Sequence, residues 1–166
     1  MESMGRRRAG EVALLGALAA AIGSAGAQAA GDLAGQDPIE LVVDLGTPDG
    51  RHVFVPDRLR FETGRLYKLV LRNRGPDPHY FTSEGFAAAV WTRKVQVTQQ
   101  RPDGRRETLA EFKGAIREIE VYPGHAAEWW LVPVQAGRFT DLRCGIRGAD
   151  GQTHAEHGMR GEIVIA

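Results

Sequence analysis

Cys144 is the only cysteine in this 166-residue chain, and Met159 is its only methionine beyond the first four residues. Both sit in one short C-terminal stretch, Arg143-Cys144-Gly145-Ile146 followed by His154-Ala155-Glu156-His157-Gly158-Met159. A thiolate, two imidazoles and a thioether at that density are the donors that a soft, redox-active metal prefers, copper above all. One cysteine cannot close an intramolecular disulfide, so a free thiol in an exported protein needs another use.

Export is expected from the N-terminus. Arg6, Arg7 and Arg8 precede an apolar run over 12–22, and small residues follow at Ala25, Ala27 and Ala29. A basic segment, a short apolar segment and an Ala-x-Ala site read as a secretory signal peptide over 1–29. The apolar run is short of the roughly 20 residues that a bilayer span needs, so no stable membrane span is expected after cleavage. The expected location is periplasmic or secreted. Residues 30–38 are small and polar, a flexible lead-in, and 39–166 suit a single domain. Acidic and basic residues balance at a formal net charge of zero. With no basic stripe, nucleic acid is excluded as a partner class.

The elements that must position the donors are strands. Apolar residues run in short segments broken by turn residues, which marks an all-β domain. Strands are expected at 39–45, 52–56, 59–61, 66–73, 94–98, 117–121, 127–134, 137–144 and 162–165, summing to roughly eight in a Greek-key sandwich. The 66–73 strand is expected to pair with 127–134, where Trp129 and Trp130 must face opposite sides of the pleat. One short helical insertion is expected over 83–91, capped by Ser83. Residues 99–105 read as a solvated hairpin tip.

The order of donors on such a sandwich resembles the cupredoxins over most of the domain. The resemblance rests on Pro78-His79-Tyr80-Phe81 after an early strand, on Ile119-Glu120-Val121-Tyr122-Pro123-Gly124, and on Gly137-Arg138-Phe139, Cys144 and the run from His154 to Ile163. It implies a mononuclear copper site with His79, Cys144 and His154 as equatorial ligands and Met159 as the weak axial one. His157 is the alternative to His154. The resemblance also implies one-electron transfer through that site, with electrons leaving by a solvent-facing edge of His154. The partner would then be a redox protein or a copper donor or acceptor. Periplasmic copper sequestration or delivery for tolerance is the alternative function, with a red-copper-type enzyme a further one. Whether the chain is an enzyme stays undecided, with the weight on a carrier or binding protein. Glu156 and His157 are the only evident acid or base near the donors.

Three departures from the family pattern bear on the site, one being the long interval from His79 to Cys144, which holds the helical insertion and the hairpin tip. The interval from Cys144 to His154 is longer than usual, and its extra residues, about 148–152, could bulge outward or could loosen the site. Tyr80 also stands where the family often has an asparagine tying the ligand loops together. His52 and His125 lie beside turn signals and read as structural or exposed. Glu156 between two histidines invites comparison with His-Glu-x-x-His zinc hydrolases, but the order differs and the run is not helical in pattern.

Overall fold

A computed structural model describes residues 35–166. The expected signal peptide and most of the expected lead-in therefore lie outside the described residues. Among the described residues no helix is long and apolar enough to cross a membrane.

The alternating segments form eleven strands rather than about eight: β1 (Ile39–Leu45), β2 (Phe54–Val55), β3 (Arg58–Phe61), β4 (Tyr67–Asn73), β5 (His79–Thr82), β6 (Val90–Gln100), β7 (Arg106–Phe112), β8 (Glu118–Val121), β9 (His125–Pro133), β10 (Gly137–Arg143) and β11 (Arg160–Ile165). They build a six-stranded sheet in the order β2-β1-β4-β9-β6-β7 and a five-stranded sheet in the order β3-β11-β10-β5-β8. The pairs β1–β4 and β3–β11 are parallel, and the other ladders are antiparallel. The expected pairing of 66–73 with 127–134 is present as β4 on β9, with Leu69 opposite Trp129 and Lys68 opposite Trp130.

The pleat sorts the two tryptophans as expected. Trp129 faces the core at 1% exposure, while half-buried Trp130 lies on the outer face between the ammonium groups of Lys68 and Lys94. Val43, Leu69, Leu71 and Leu131 from one sheet and Leu59, Phe81, Leu142 and Ile163 from the other fill the interior. Removing this apolar area from water is the main driving force for closing the sandwich.

The helical insertion is α1 (Glu84–Ala88), whose first turn is capped by Ser83 Oγ accepting the Phe86 N–H. Phe86 is fully buried and meets Trp129 edge-on at 5.6 Å and Phe61 at 5.0 Å. The insertion also clamps the end of β10. Asp141 accepts from Ser83 Oγ and the Gly85 N–H, and Arg143 makes two bonds to Glu84 at 2.8 and 2.6 Å. The residue after that clamp is Cys144.

Candidate metal centre

Three loops meet at one end of the sandwich. The β4–β5 loop, 74–78, is folded around Asn73, a buried residue that closes β4. Its Nδ2 donates to the carbonyls of Asp77 (2.8 Å) and Val121 (2.7 Å), and its Oδ1 accepts the Gly75 N–H (2.8 Å). Three bonds from one amide satisfy a buried polar side chain and fix where the loop delivers His79. His79 opens β5 opposite Val121 and is 1% exposed. Its Nε2 edge lies against the backbones of Gly46 and Gly75, where a Cβ on either would crowd the ring.

The interval between Cys144 and His154 is a small hairpin that leaves its ends together. Arg147 and Thr153 form an antiparallel bridge, and Gly148 N–H donates to Gln152 O (2.8 Å). Below it, His154 N–H donates to Ile146 O (2.8 Å) and Ala155 N–H to Cys144 O (2.9 Å). The extra residues are thus extruded, the first of the two outcomes left open by the sequence. His154 then enters a tight turn stapled by Thr153 and Glu156. Thr153 N–H and Oγ1 both donate to Glu156 Oε2 (2.6 and 2.8 Å), while Glu156 N–H donates back to Thr153 Oγ1 (3.1 Å). This reciprocal arrangement is a capping box. It occupies the Glu156 carboxylate and holds its pKa down. The turn ends where Met159 N–H donates to His154 O (2.9 Å) and Met159 O accepts from Cys144 N–H (3.2 Å).

Three donor atoms converge as a result. His79 Nδ1 lies 3.2 Å from His154 Nδ1, and Cys144 Sγ lies 3.5 Å from His154 Nδ1 and 4.0 Å from His79 Nδ1. Metal bonds of about 2.0–2.1 Å to imidazole and about 2.3 Å to thiolate, opened by about 100–130°, span roughly 3.1–3.6 Å between nitrogens and roughly 3.4–3.9 Å from nitrogen to sulfur. The 3.2 and 3.5 Å sides have those dimensions and the 4.0 Å side from Cys144 Sγ to His79 Nδ1 lies just beyond them, so these residues fit one ion once that side closes slightly. Cys144 and Met159 are fully buried and His154 is 2% exposed.

Burial, followed by the charge of neighbouring imidazoles, lowers the His79 pKa from 6.5 to about 4 and lowers that of His154 as well. Both rings are therefore neutral at physiological pH, with lone pairs free to bind a cation. Burial pushes the Cys144 thiol up, opposed by the N–H groups of Ile146 and Tyr80. The Tyr80 N–H donates to Sγ at 3.2 Å, so the position after His79 ties the two ligand loops through its backbone. The phenol points elsewhere, bonding Glu120 at 3.2 Å.

The structure separates His157 from the donor triangle. It is exposed, and its Nε2 pairs with Asp150 Oδ2 of the extruded hairpin at 2.8 Å. His125 bonds the Pro123 carbonyl, away from the donors. His52 is the residue that sequence reasoning missed. Its ring stacks on His154 at 3.7 Å and 14° and meets His79 edge-on at 5.7 Å. Ligand atoms of His52, His79 and His154 all lie within 4.8 Å of one another. His52 thus covers one face of His154, which at 2% exposure does not present the solvent-facing edge expected of it. Only a lone histidine beside the Thr47-Pro48-Asp49-Gly50 turn marked this position in the sequence, and that is no signal for a long-range contact.

No protein-family model matches the chain, and no curated protein matches it in sequence. Solved structures do match. A multicopper oxidase from Campylobacter jejuni superposes with a TM-score of 0.52 at 15% identity, over 78% of this chain and 30% of that one. A Cu-containing nitrite reductase from Thermus scotoductus does so at 0.52 and 17%, over 80% and 32%. The chain therefore spans about a third of the length of these two enzymes. Auracyanin A, a blue copper protein from Chloroflexus aurantiacus, matches at 0.43 and 12%, over 78% of this chain and 100% of that one. Two facing sheets with a donor triangle between three loops at one end, on an architecture shared with the oxidase and the reductase, make this a cupredoxin-like β-sandwich.

Proposed function

We propose that this chain is an exported protein that holds one copper ion with His79, Cys144, His154 and Met159 and carries single electrons between partner proteins. The observation that carries the reading is the buried triangle of two Nδ1 atoms and one Sγ, with spacings of 3.2, 3.5 and 4.0 Å. Export rests on the signal-like N-terminus alone.

Copper bound there would supply a one-electron couple, since a mixed nitrogen and sulfur set is tolerable to both of its oxidation states. The protein's part is to keep the donors from moving. Asn73 clamps the loop before His79, and the Ile146–His154 and Cys144–Ala155 hydrogen bonds clamp the loop after Cys144. The Tyr80 N–H withdraws electron density from Sγ and orients it. Cys144 would hold the ion as a thiolate, giving up the proton that burial otherwise retains.

Burial of all four donors favours retention of an ion over rapid exchange, which supports electron carriage over copper delivery. The reading as an enzyme is the weaker one, because Glu156 is committed to Thr153 and His157 to Asp150.

The test is spectroscopic. Purified protein given Cu(II) is expected to develop an intense thiolate-to-copper charge-transfer band, and Cys144→Ser is expected to abolish it. A band that survives in Cys144→Ser, or its absence from the wild type, refutes the assignment.

A further inference from the structure

We infer that His52 is a positioning residue for the proposed copper site, whose stacked ring fixes the plane of His154 and roofs it against solvent and exogenous ligands. The inference rests on the copper reading for its redox consequences, but not for the shielding itself.

His52 sits on a braced loop, not a loose one. The chain between β1 and β2 closes on itself through Gly46 N–H to Val53 O (2.9 Å), Thr47 N–H to Arg51 O (3.1 Å) and Arg51 N–H to Thr47 Oγ1 (3.0 Å). Its root is tied to the first ligand loop, because Arg74 N–H donates to Leu45 O (2.9 Å). The loop therefore presents the His52 ring at a fixed place beside His79 and His154.

The stack defines what that ring can do. An imidazole lone pair lies in the ring plane, and the rings of His52 and His154 have centroids 3.7 Å apart and planes 14° from parallel. An ion bound in the plane of His154 at Nδ1 lies off the lone-pair direction of His52, so the stacked ring does not ligate it. What the stack provides is contact over a whole face of His154, which resists rotation of that ring about its Cβ–Cγ bond. It also supplies cover. His154 is only 2% exposed although it sits on a loop at the end of the sandwich, whereas His52 outside it is half-buried. Solvent and partner proteins meet the His52 ring before they meet His154.

One further detail bears on His52, shared among the described residues only with the indole nitrogen of Trp130. The His52 Nδ1 is buried and has no hydrogen-bond partner. An unsatisfied buried nitrogen is unfavourable and rare in native proteins. The ring is held against His154 in spite of that cost, and the same interior already holds the converging nitrogens of His79 and His154.

The experiment compares wild type, His52→Phe, which keeps a planar ring, and His52→Ala, which removes it. The first readout uses metal-free protein, with acylation of His154 by diethyl pyrocarbonate followed by mass spectrometry. Wild type and His52→Phe are expected to protect His154, and His52→Ala to label it about tenfold faster, as for a site opened to solvent. The second readout uses Cu(II)-loaded protein. His52→Ala is expected to lose copper to a competing chelator at least about tenfold faster, to show an azide-dependent shift of its charge-transfer band and to change reduction potential, as loss of a ligand-orienting neighbour does. His52→Phe is expected to stay near wild type in all three. His52→Leu, bulky but not planar, replaces His52→Ala if the latter fails to fold. Labelling of His154 at the wild-type rate in the truncated variant overturns the inference. So does a His52→Phe protein that behaves like His52→Ala. If the labelling pattern holds but wild type gives no thiolate band, the copper reading fails and the roof over His154 stands.

Discussion

His79 is the donor whose surroundings are most tightly specified, and its chemistry without metal follows from that. Gly46 has φ +67°, in the left-handed region where glycine is at home, and its Cα hydrogen leaves room for His79 Nε2. Asn73 fixes the other side. So enclosed a ring resists protonation, which is why burial brings its pKa from 6.5 to about 4. Folded protein then binds fewer protons here than unfolded chain between those two values, so stability rises with pH across that window and falls as the solution is acidified through it. His154 is shifted in the same direction. Carboxylates contribute lower down: Glu84, held by Arg143, is depressed from 4.5 to about 2, so its stabilisation is lost only below 4.5. The interval from 6.5 to 4.5 therefore belongs to the buried histidines. Denaturant titration of metal-free protein is expected to show stability flat from pH 6.5 up to the onset of thiol ionisation and declining below pH 6.5, with a shallower decline in His79→Gln. Equal slopes for the two proteins would mean that His79 is not held neutral by the fold.

At the scale of elements, the stretched loop between Cys144 and His154 is a graft on a shorter one. The Ile146–His154 hydrogen bond (2.8 Å) closes its base, and Arg147 faces Thr153 just above. Removing 148–152 and joining Arg147 to Thr153 would make Ile146 and His154 the first and fourth residues of a β-turn. The same carbonyl and N–H would then be positioned to bond. Halving the loop changes closure entropy by only about 0.6 kcal/mol. The shortened protein is expected to keep its unfolding midpoint and the energy of its Cu(II) charge-transfer band, while losing the Asp150–His157 and Arg147–Gly151 contacts of the exposed hairpin. A displaced band would show that the hairpin braces the donors and is not an appendage. The sequence made this loop conspicuous by its length but could not say which way it went, because that depends on backbone bonds with no side-chain signature. The same limit explains other gaps. β1, β4 and β9 were legible because their apolar residues alternate against a buried face. β7, Arg-Glu-Thr-Leu-Ala-Glu-Phe, is wet on both faces at the sheet edge and leaves no such pattern. β5 is four residues long and begins at a proposed ligand, so it read as loop. His79, Cys144, His154 and Met159 could be picked out by type and order, whereas His52 reaches His154 only through the closing of the sandwich.

For the whole molecule, the decisive property is how evenly charge is distributed around the end that carries the donors. The chain is neutral overall, with 21 basic and 21 acidic residues. The exposed charges on the three site loops and the start of β11 also balance: Arg51, Arg74, Arg147 and Arg160 against Asp49, Asp77, Asp150 and Glu156. Some of them are spent locally, as in Arg51–Asp49 at 3.3 Å and His157–Asp150 at 2.8 Å. Steering at a distance needs a field of one sign, and interleaved opposite charges cancel within a Debye length. Two copies approaching through their His52 faces would therefore feel neither strong repulsion nor strong attraction, and short-range contact would set the rate. Electron self-exchange between Cu(I)- and Cu(II)-loaded protein, read from NMR line broadening, is expected to change less than about threefold as the Debye length falls from about 30 Å at 0.01 M salt to about 3 Å at 1 M. A charge reversal such as Asp77→Lys at this rim should introduce the missing field, slowing exchange at low salt and restoring it at high salt. A strong salt dependence in the wild type itself would mean that electrons leave by another face of the sandwich, away from the balanced rim.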